Sequence, residues 1–218
     1  MIKRIFLILI LLIAVSKAEE GIKVLYFFSA TCPYCKEATP YVNELSKEFS
    51  VEGILFGKEE AKGLSFPVRK GTKEMANRYG VKGVPTLIVL KDGVFKHKII
   101  GVRDIKDART IIKALEMGAM SVSEAVEKNP EGEFIITGWI INKEDYFEKD
   151  SKFFITDRQK EILVNTWLPL EVAKSPFKKQ RPRLMSDVVD KPVVLKGRLI
   201  RTKEGGIKFH VKEEISLD

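Results

Sequence analysis

The stretch that most constrains this chain is Lys23-Val24-Leu25-Tyr26-Phe27-Phe28, followed at once by Ser29-Ala30-Thr31-Cys32-Pro33-Tyr34-Cys35-Lys36. The first part is the near-continuous apolar, β-branched and aromatic run that a buried strand needs. Beyond Cys35, the spacing of Tyr41, Leu45 and Phe49 is helical and predicts a helix from Cys35 to Phe49. Cys32 and Cys35, the only cysteines present, therefore fall at a strand-to-helix junction. A Cys-x-x-Cys pair can supply half a zinc site, close a short disulfide, or cycle between dithiol and disulfide.

The N-terminus bears on that choice. Met1-Ile2-Lys3-Arg4 is a short positive start, Ile5 to Val15 is uninterruptedly apolar, and Ser16-Lys17-Ala18 puts small residues where a signal peptidase would cut. A secretory signal cleaved after Ala18 is expected. The apolar run is shorter than the roughly 20 residues a spanning helix needs, and a retained anchor is the other reading. Either leaves the remainder of the chain in a secreted or periplasmic-type space, where disulfides persist.

Downstream, Val51 to Phe56 reads as a second strand parallel to the first, which makes a βαβ unit. Pro40 should kink the intervening helix, because proline removes a donor and clashes with the preceding turn. Gly57 to Lys70 reads as a loop. Thr72 caps a short helix, Lys73 to Tyr79, closed by Gly80. Pro85 then opens a strongly apolar strand, Lys91-Asp92-Gly93 is a hairpin turn, and Val94 to Ile100 returns as its partner until Gly101 breaks it. Asp104 is expected to cap a last helix, Ile105 to Met117, with Ile105, Ala108, Ile111, Ile112 and Leu115 on one face. The predicted order over residues 19–118 is β-α-β-α-β-β-α, an α/β domain.

Roughly residues 22–117 resemble the thioredoxin fold. The likeness rests on Phe27-Phe28-Ser29-Ala30-Thr31-Cys32-Pro33-Tyr34-Cys35-Lys36, Pro40, Tyr79-Gly80-Val81-Lys82-Gly83-Val84-Pro85-Thr86-Leu87, the Lys91-Asp92-Gly93 turn and Gly101. The resemblance, to extracytoplasmic thioredoxin and Dsb-like proteins, implies a thiol–disulfide oxidoreductase. It implies a cis bond at Val84-Pro85, lying against the cysteines, and a redox-active Cys32–Cys35 disulfide with no other cofactor. At a helix N-terminus, unpaired N–H groups and the helix dipole favour the Cys32 thiolate, the species that attacks disulfides. Cys32 is therefore the expected nucleophile, and Cys35, one turn inward, the expected resolving thiol. Pro33 tightens the turn and Tyr34 presents a neutral ring. Val84 offers backbone to an extended client segment between apolar walls of Pro85 and Tyr34. One departure stands out. Thioredoxins and Dsb-type oxidases resemble one another in a buried acid six residues before the first cysteine, and here that position is Tyr26. Glu37 and Lys58, the charged neighbours considered in its place, read as solvated.

Residues 119–131 read as a helical linker, Ser121 to Lys128, ended by Asn129-Pro130. From residue 132 the periodicity becomes two. Glu133–Ile141, Lys152–Thr156, Glu161–Thr166, Val193–Arg201 and Ile207–Val211 are five candidate strands, with turns at Asp157-Arg158 and Gly205-Gly206. A long connection, Leu168 to Lys191, follows the third. Gly138 suggests a bulge or bend, as a closed barrel needs. This all-β half, residues 132–218, resembles an OB-fold barrel. Trp139, Phe153, Phe154 and Trp167 with the basic run Lys174 to Arg183 invite a nucleic-acid reading, but the charge does not support it. Net charge is +8 overall, yet residues 19–118 contribute only +4 and residues 119–218 only +1, a mixed-charge surface rather than a basic footprint. No nucleic-acid partner is expected, and those aromatics read as core. His97 and His210 lack metal-ligand spacing and no metal site is expected. Lys, Glu and Ile in excess over Gln and Asn suggest a thermophilic source.

The expected partners are client proteins bearing thiols or disulfides and a membrane or soluble redox partner, with protein docking through the C-terminal half. Two other functions fit the residues. One is a secreted, non-catalytic binder using the cysteines as soft-metal ligands; the other is an OB-type ligand-binding protein with an ancillary redox domain.

Overall fold

The computed structural model describes residues 21–141, 152–165 and 190–217. The expected signal segment, Trp167 and the Lys174 to Arg183 run lie outside the described residues. No helix among the described residues is long and apolar enough to cross a membrane.

The first domain is built on β1 (Ile22–Ser29), buried along nearly its whole length. It pairs parallel with β2 (Ser50–Phe56) in the register Val24 to Val51, and antiparallel with β4 (Thr86–Lys91) in the register Val24 to Val89. The crossover from β1 to β2 is α1 (Pro33–Leu45), which buries Cys35, Ala38, Val42 and Leu45 against the sheet and continues through Pro40. α2 (Lys73–Arg78) begins where expected, with the Thr72 hydroxyl accepting from Met75 N at 3.3 Å. The hairpin from β4 to β5 (Val94–Ile100) turns on Asp92 and Gly93, both at positive φ of 52° and 75°, as a type I′ turn requires.

Two expectations are corrected here. The segment from Gly57 to Lys70 is not all loop: β3 (Val68–Lys70) adds parallel to β2, giving the sheet order β3-β2-β1-β4-β5. The final helix is not a single run capped by Asp104. α3 (Gly101–Lys106) starts earlier, at the glycine that ends β5, and α4 (Ala108–Glu116) follows after a break at Asp107. Asp104 sits inside α3, buried, and its carboxylate faces the second domain.

That domain is a closed five-stranded barrel. β7 (Phe134–Ile141), β8 (Lys152–Thr156), β9 (Glu161–Asn165), β11 (Ile207–Glu214) and β10 (Pro192–Arg201) pair in that order, and β10 returns to β7. All these pairings are antiparallel except β9 with β11, which is parallel, a topology consistent with the OB-like fold. The bulge lies at Lys196 and Gly197 in β10, not at Gly138. Gly138 instead permits close approach: a Cβ there would meet the Thr156 carbonyl at 2.5 Å. The two-residue β6 (Met120–Ser121) adds to β7, and α5 (Val122–Lys128) is capped by the Ser121 hydroxyl. Val122 and Ala125 of this helix are buried in the barrel's core with Ile136, Ile140 and Phe209, so it packs as part of the barrel.

β7 joins the two halves. Ile136 and Ile140 point into the barrel, while Trp139, fully buried, belongs to the first domain's core. Ala114 of α4 packs with Ala119 and Val194. Beside this apolar seam, Arg158, in the turn from β8 to β9, donates Nε and Nη2 to the Asp104 carboxylate at 2.9 and 2.8 Å and Nη2 to Asp190 at 2.9 Å. Its guanidinium lies 5.4 Å from the Trp139 ring centroid. On the first-domain side, the buried His97 ring stacks with Trp139 at 5.5 Å.

Candidate active site

Cys32 is the N-cap of α1 and Pro33 its first residue, where the missing proline N–H costs nothing because the first turn's donors have no helical partner. The Cys32 carbonyl accepts from Cys35 N and Lys36 N, both at 3.1 Å. Its own sulfur is half-buried, whereas Cys35 is only 1% exposed; the pair is unbridged. Tyr34 projects outward, 65% exposed.

The loop before β4 lies against this turn. The Val84-Pro85 bond is cis, and Cys32 Sγ lies 3.9 Å from the Val84 carbonyl, toward which the thiol donates. The loop is pinned on both sides: Thr86 Oγ1 donates to Gly83 O at 2.8 Å, and Gly101 N donates to Pro85 O at 3.0 Å. Five of the six expected site residues thus converge, through the Cys32 turn and the Val84 contact. Tyr34, on the same turn, faces solvent rather than walling the loop.

Cys35 is held from three directions. Its carbonyl accepts from the Tyr26 hydroxyl at 3.0 Å and from Thr39 Oγ1 at 2.7 Å, and its sulfur accepts from Ser29 N at 3.5 Å. Burial pushes the Cys35 thiol up to about 12, against the lowering effects of the Ser29 amide and the Tyr26 hydroxyl. Burial also raises the Tyr26 phenol well above its ordinary value. Tyr26 stacks on Phe28 at 4.8 Å and meets Phe66 edge-on at 6.0 Å. Tyr26 therefore supplies a neutral donor at the position where the resemblance implies an acid.

The sequence reading missed a cavity beside Cys35. A solvent-open cavity of about 280 Å³ reaches Cys35 between α1 and the segment before β3, and Thr39, Glu60 and Lys62 line it. The segment is docked on α1: Asn43 donates to Gly63 O at 2.9 Å and accepts from Ser65 N at 3.0 Å, and Ala61 and Leu64 pack against the core. Asn43 facing a Gly-rich loop carries no signal that a sequence alone reveals. Glu37 and Lys58 are exposed and do not line the cavity. Among the described residues no group of three or more His, Cys, Asp or Glu side chains is placed to hold a metal.

A thioredoxin family model matches residues 13–114 and ends before the barrel. A thioredoxin H-type of Oryza sativa subsp. indica is 32% identical over 110 residues, which is 50% of this chain and 82% of that protein. A thioredoxin of Chlamydia caviae is 33% identical over 84 residues, 38% of this chain and 72% of that one. Among solved structures, StoA from Bacillus subtilis aligns at 20% identity with a TM-score of 0.36, over 42% of this chain and 82% of its own.

Proposed function

Because this chain belongs to the thioredoxin family and is a thiol–disulfide oxidoreductase, we propose that it works outside the cytoplasm on the disulfides and thiols of client proteins, with Cys32 and Cys35 as its only redox group. The observation that carries the reading is the half-exposed Cys32 sulfur at the α1 N-terminus, 3.9 Å from the Val84 carbonyl, with Cys35 buried one turn behind. The basic start, the apolar run Ile5 to Val15 and the small residues before position 19 support export.

An extended client segment lies along Val84, pairing with its backbone, and presents its disulfide to Cys32. The Cys32 thiolate attacks one client sulfur, and the other leaves as a thiolate. Cys35 then attacks Cys32 in the mixed disulfide; the Cys32–Cys35 bond forms and the second client sulfur leaves. The client gains two electrons and the pair loses them. Run in reverse, the same steps oxidise a client, and the direction follows from the potential of the pair against the partner that resets it. The barrel, with one face fused to the first domain, supplies the docking surface for that partner. The test is trapping: full-length Cys35→Ser, incubated with a disulfide-bonded protein client, should accumulate a mixed disulfide through Cys32, and Cys32→Ser should not. Equal trapping by Cys32→Ser, with none by Cys35→Ser, overturns the assignment.

A further inference from the structure

The buried Cys35 thiol must lose a proton to become the attacking thiolate, and its surroundings among the described residues point to one route. The charged and titratable groups that border it are Tyr26 from β1, Cys32 and Lys36 from α1, and Glu60 and Lys62 from the segment before β3. Tyr26 does not take the proton. It is a neutral phenol whose hydroxyl hydrogen is engaged by the Cys35 carbonyl at 3.0 Å, and Phe28 and Phe66 pack against its ring. Lys36 and Lys62 offer ammonium donors and no acceptor. The cavity of about 280 Å³ opens from Cys35 to solvent, roomy enough for a water chain, and Glu60 is the carboxylate on its wall.

We propose that Glu60 is the proton acceptor for Cys35, reached through water in this cavity, with Tyr26 as a positioning residue that fixes Cys35 through its backbone carbonyl. The inference rests on the reading of Cys35 as the resolving thiol. In the step itself the Cys35 S–H proton passes through water to the Glu60 carboxylate while Cys35 Sγ attacks Cys32 Sγ. The Cys32–Cys35 bond forms, the bond from Cys32 to the client breaks, and the client sulfur leaves with the electron pair and takes a proton from solvent. Glu60 returns its proton to the cavity water. Asn43, and Ser46, whose hydroxyl meets that of Ser65 at 2.6 Å, dock the segment that carries Glu60 on α1.

The test is single-turnover kinetics of the full chain. Reduced protein is mixed with a disulfide-bonded peptide, quenched in acid, and the mixed disulfide counted by mass from pH 5.5 to 9. With Glu60 as acceptor, its decay in the wild type is nearly independent of pH. In Glu60→Gln the decay should slow about 10²-fold at pH 6, in line with the loss of a general base, rise about tenfold per pH unit, and approach the wild type at the alkaline end. Glu59→Gln, on the same segment but not on the cavity wall, should keep the wild-type profile. Tyr26→Phe should slow decay by a similar factor at every pH, without adding a slope. A Glu60→Gln profile as flat and fast as the wild type overturns the proposal while leaving the roles of the cysteines intact. Absence of any mixed disulfide in the wild type overturns both.

Discussion

Replacing Arg158 with Met tests whether the two domains fold as one unit. The substitution keeps much of the aliphatic stem over Trp139 and removes three charge-assisted hydrogen bonds, two to Asp104 and one to Asp190. Each such bond is worth about 1.5–3 kcal/mol where it is made. Asp104 is 7% exposed at its side chain, and its remaining cation is Arg103, with Nε 3.8 Å away. Removing one partner of a buried pair costs about 3–5 kcal/mol, because the other charge stays desolvated. Asp190 is partly relieved: Arg103 Nη1 lies 2.9 Å from its carboxylate, and Arg158 itself is 22% exposed. The cost therefore falls at the low end, about 3 kcal/mol. With a urea dependence of about 2 kcal/mol/M, the midpoint of full-length Arg158→Met should drop by about 1.5 M. Following Trp fluorescence and far-UV circular dichroism together, the wild type should unfold in one coincident transition. Pairing the change with Asp104→Leu should restore at least half of the loss, since no buried charge is then left unpaired. A loss below about 1 kcal/mol, the worth of an exposed ion pair, or two separated transitions in the wild type, refutes the reasoning.

The trapping of a client by Cys35→Ser and the pH profile of Glu60→Gln are the direct checks on the chemistry. Gly197→Ala should destabilise the barrel by about 3 kcal/mol, in the upper range for overpacking, because the added Cβ would collide with the His210 carbonyl and lie 2.9 Å from the Phe209 ring; Gly83→Ala, with nothing within 4 Å, should leave the melting temperature unchanged within a degree or two. His97 gives a pH dependence of known sign. Burial lowers its pKa from the ordinary 6.5 to about 4, so the unfolded chain binds the proton first. Its contribution is complete above about pH 6.5 and is lost as pH falls toward 4, about 3 kcal/mol in all. Among the described residues neither ring nitrogen has a hydrogen-bond partner, so His97→Leu should be near neutral in stability at pH 7 and less acid-sensitive than the wild type between pH 6.5 and 4; parallel urea titrations of the two proteins measure the difference.

What could be read from the sequence was local. Strand β1 and helix α1 follow from contiguous composition and 3.6-residue spacing, the Asp92-Gly93 turn from two residues that tolerate positive φ, and the Cys32 site from its place between them. The five barrel strands were legible for the same reason, as runs of period two between turn residues. The edge strand β3 was not. Val68, Arg69 and Lys70 are all exposed, so they carry no burial pattern, and only their pairing with Gly53 to Leu55 makes them a strand. Asp104 misled for a related reason. Ahead of an amphipathic run it has the look of a cap, but its partner is Arg158, 54 residues on, and no local pattern encodes that.

The same turn that carries Arg158 connects the barrel to the chemistry. A cavity of about 260 Å³ is lined on one side by Lys82, Gly83 and Thr86, which flank the Val84-Pro85 loop, and on the other by Asp157, Arg158 and Gln159. Asp157 fixes the turn from within: it accepts from the backbone N–H groups of Ser123, Gln159 and Lys160 at 2.6, 3.0 and 2.8 Å. These bonds tie it to the start of α5 as well as to its own strand connection. The Val84-Pro85 loop therefore borders an element of the second domain that these bonds hold in place. The thiols do not touch that element: Cys32 and Cys35 are held by α1, β1 and the Val84 carbonyl. Loss of Arg158 should accordingly weaken client binding, seen as a raised KM, while the exchange rate of the bound client changes little. An unchanged KM alongside the expected loss of stability would mean that the barrel supports the fold without shaping the client loop.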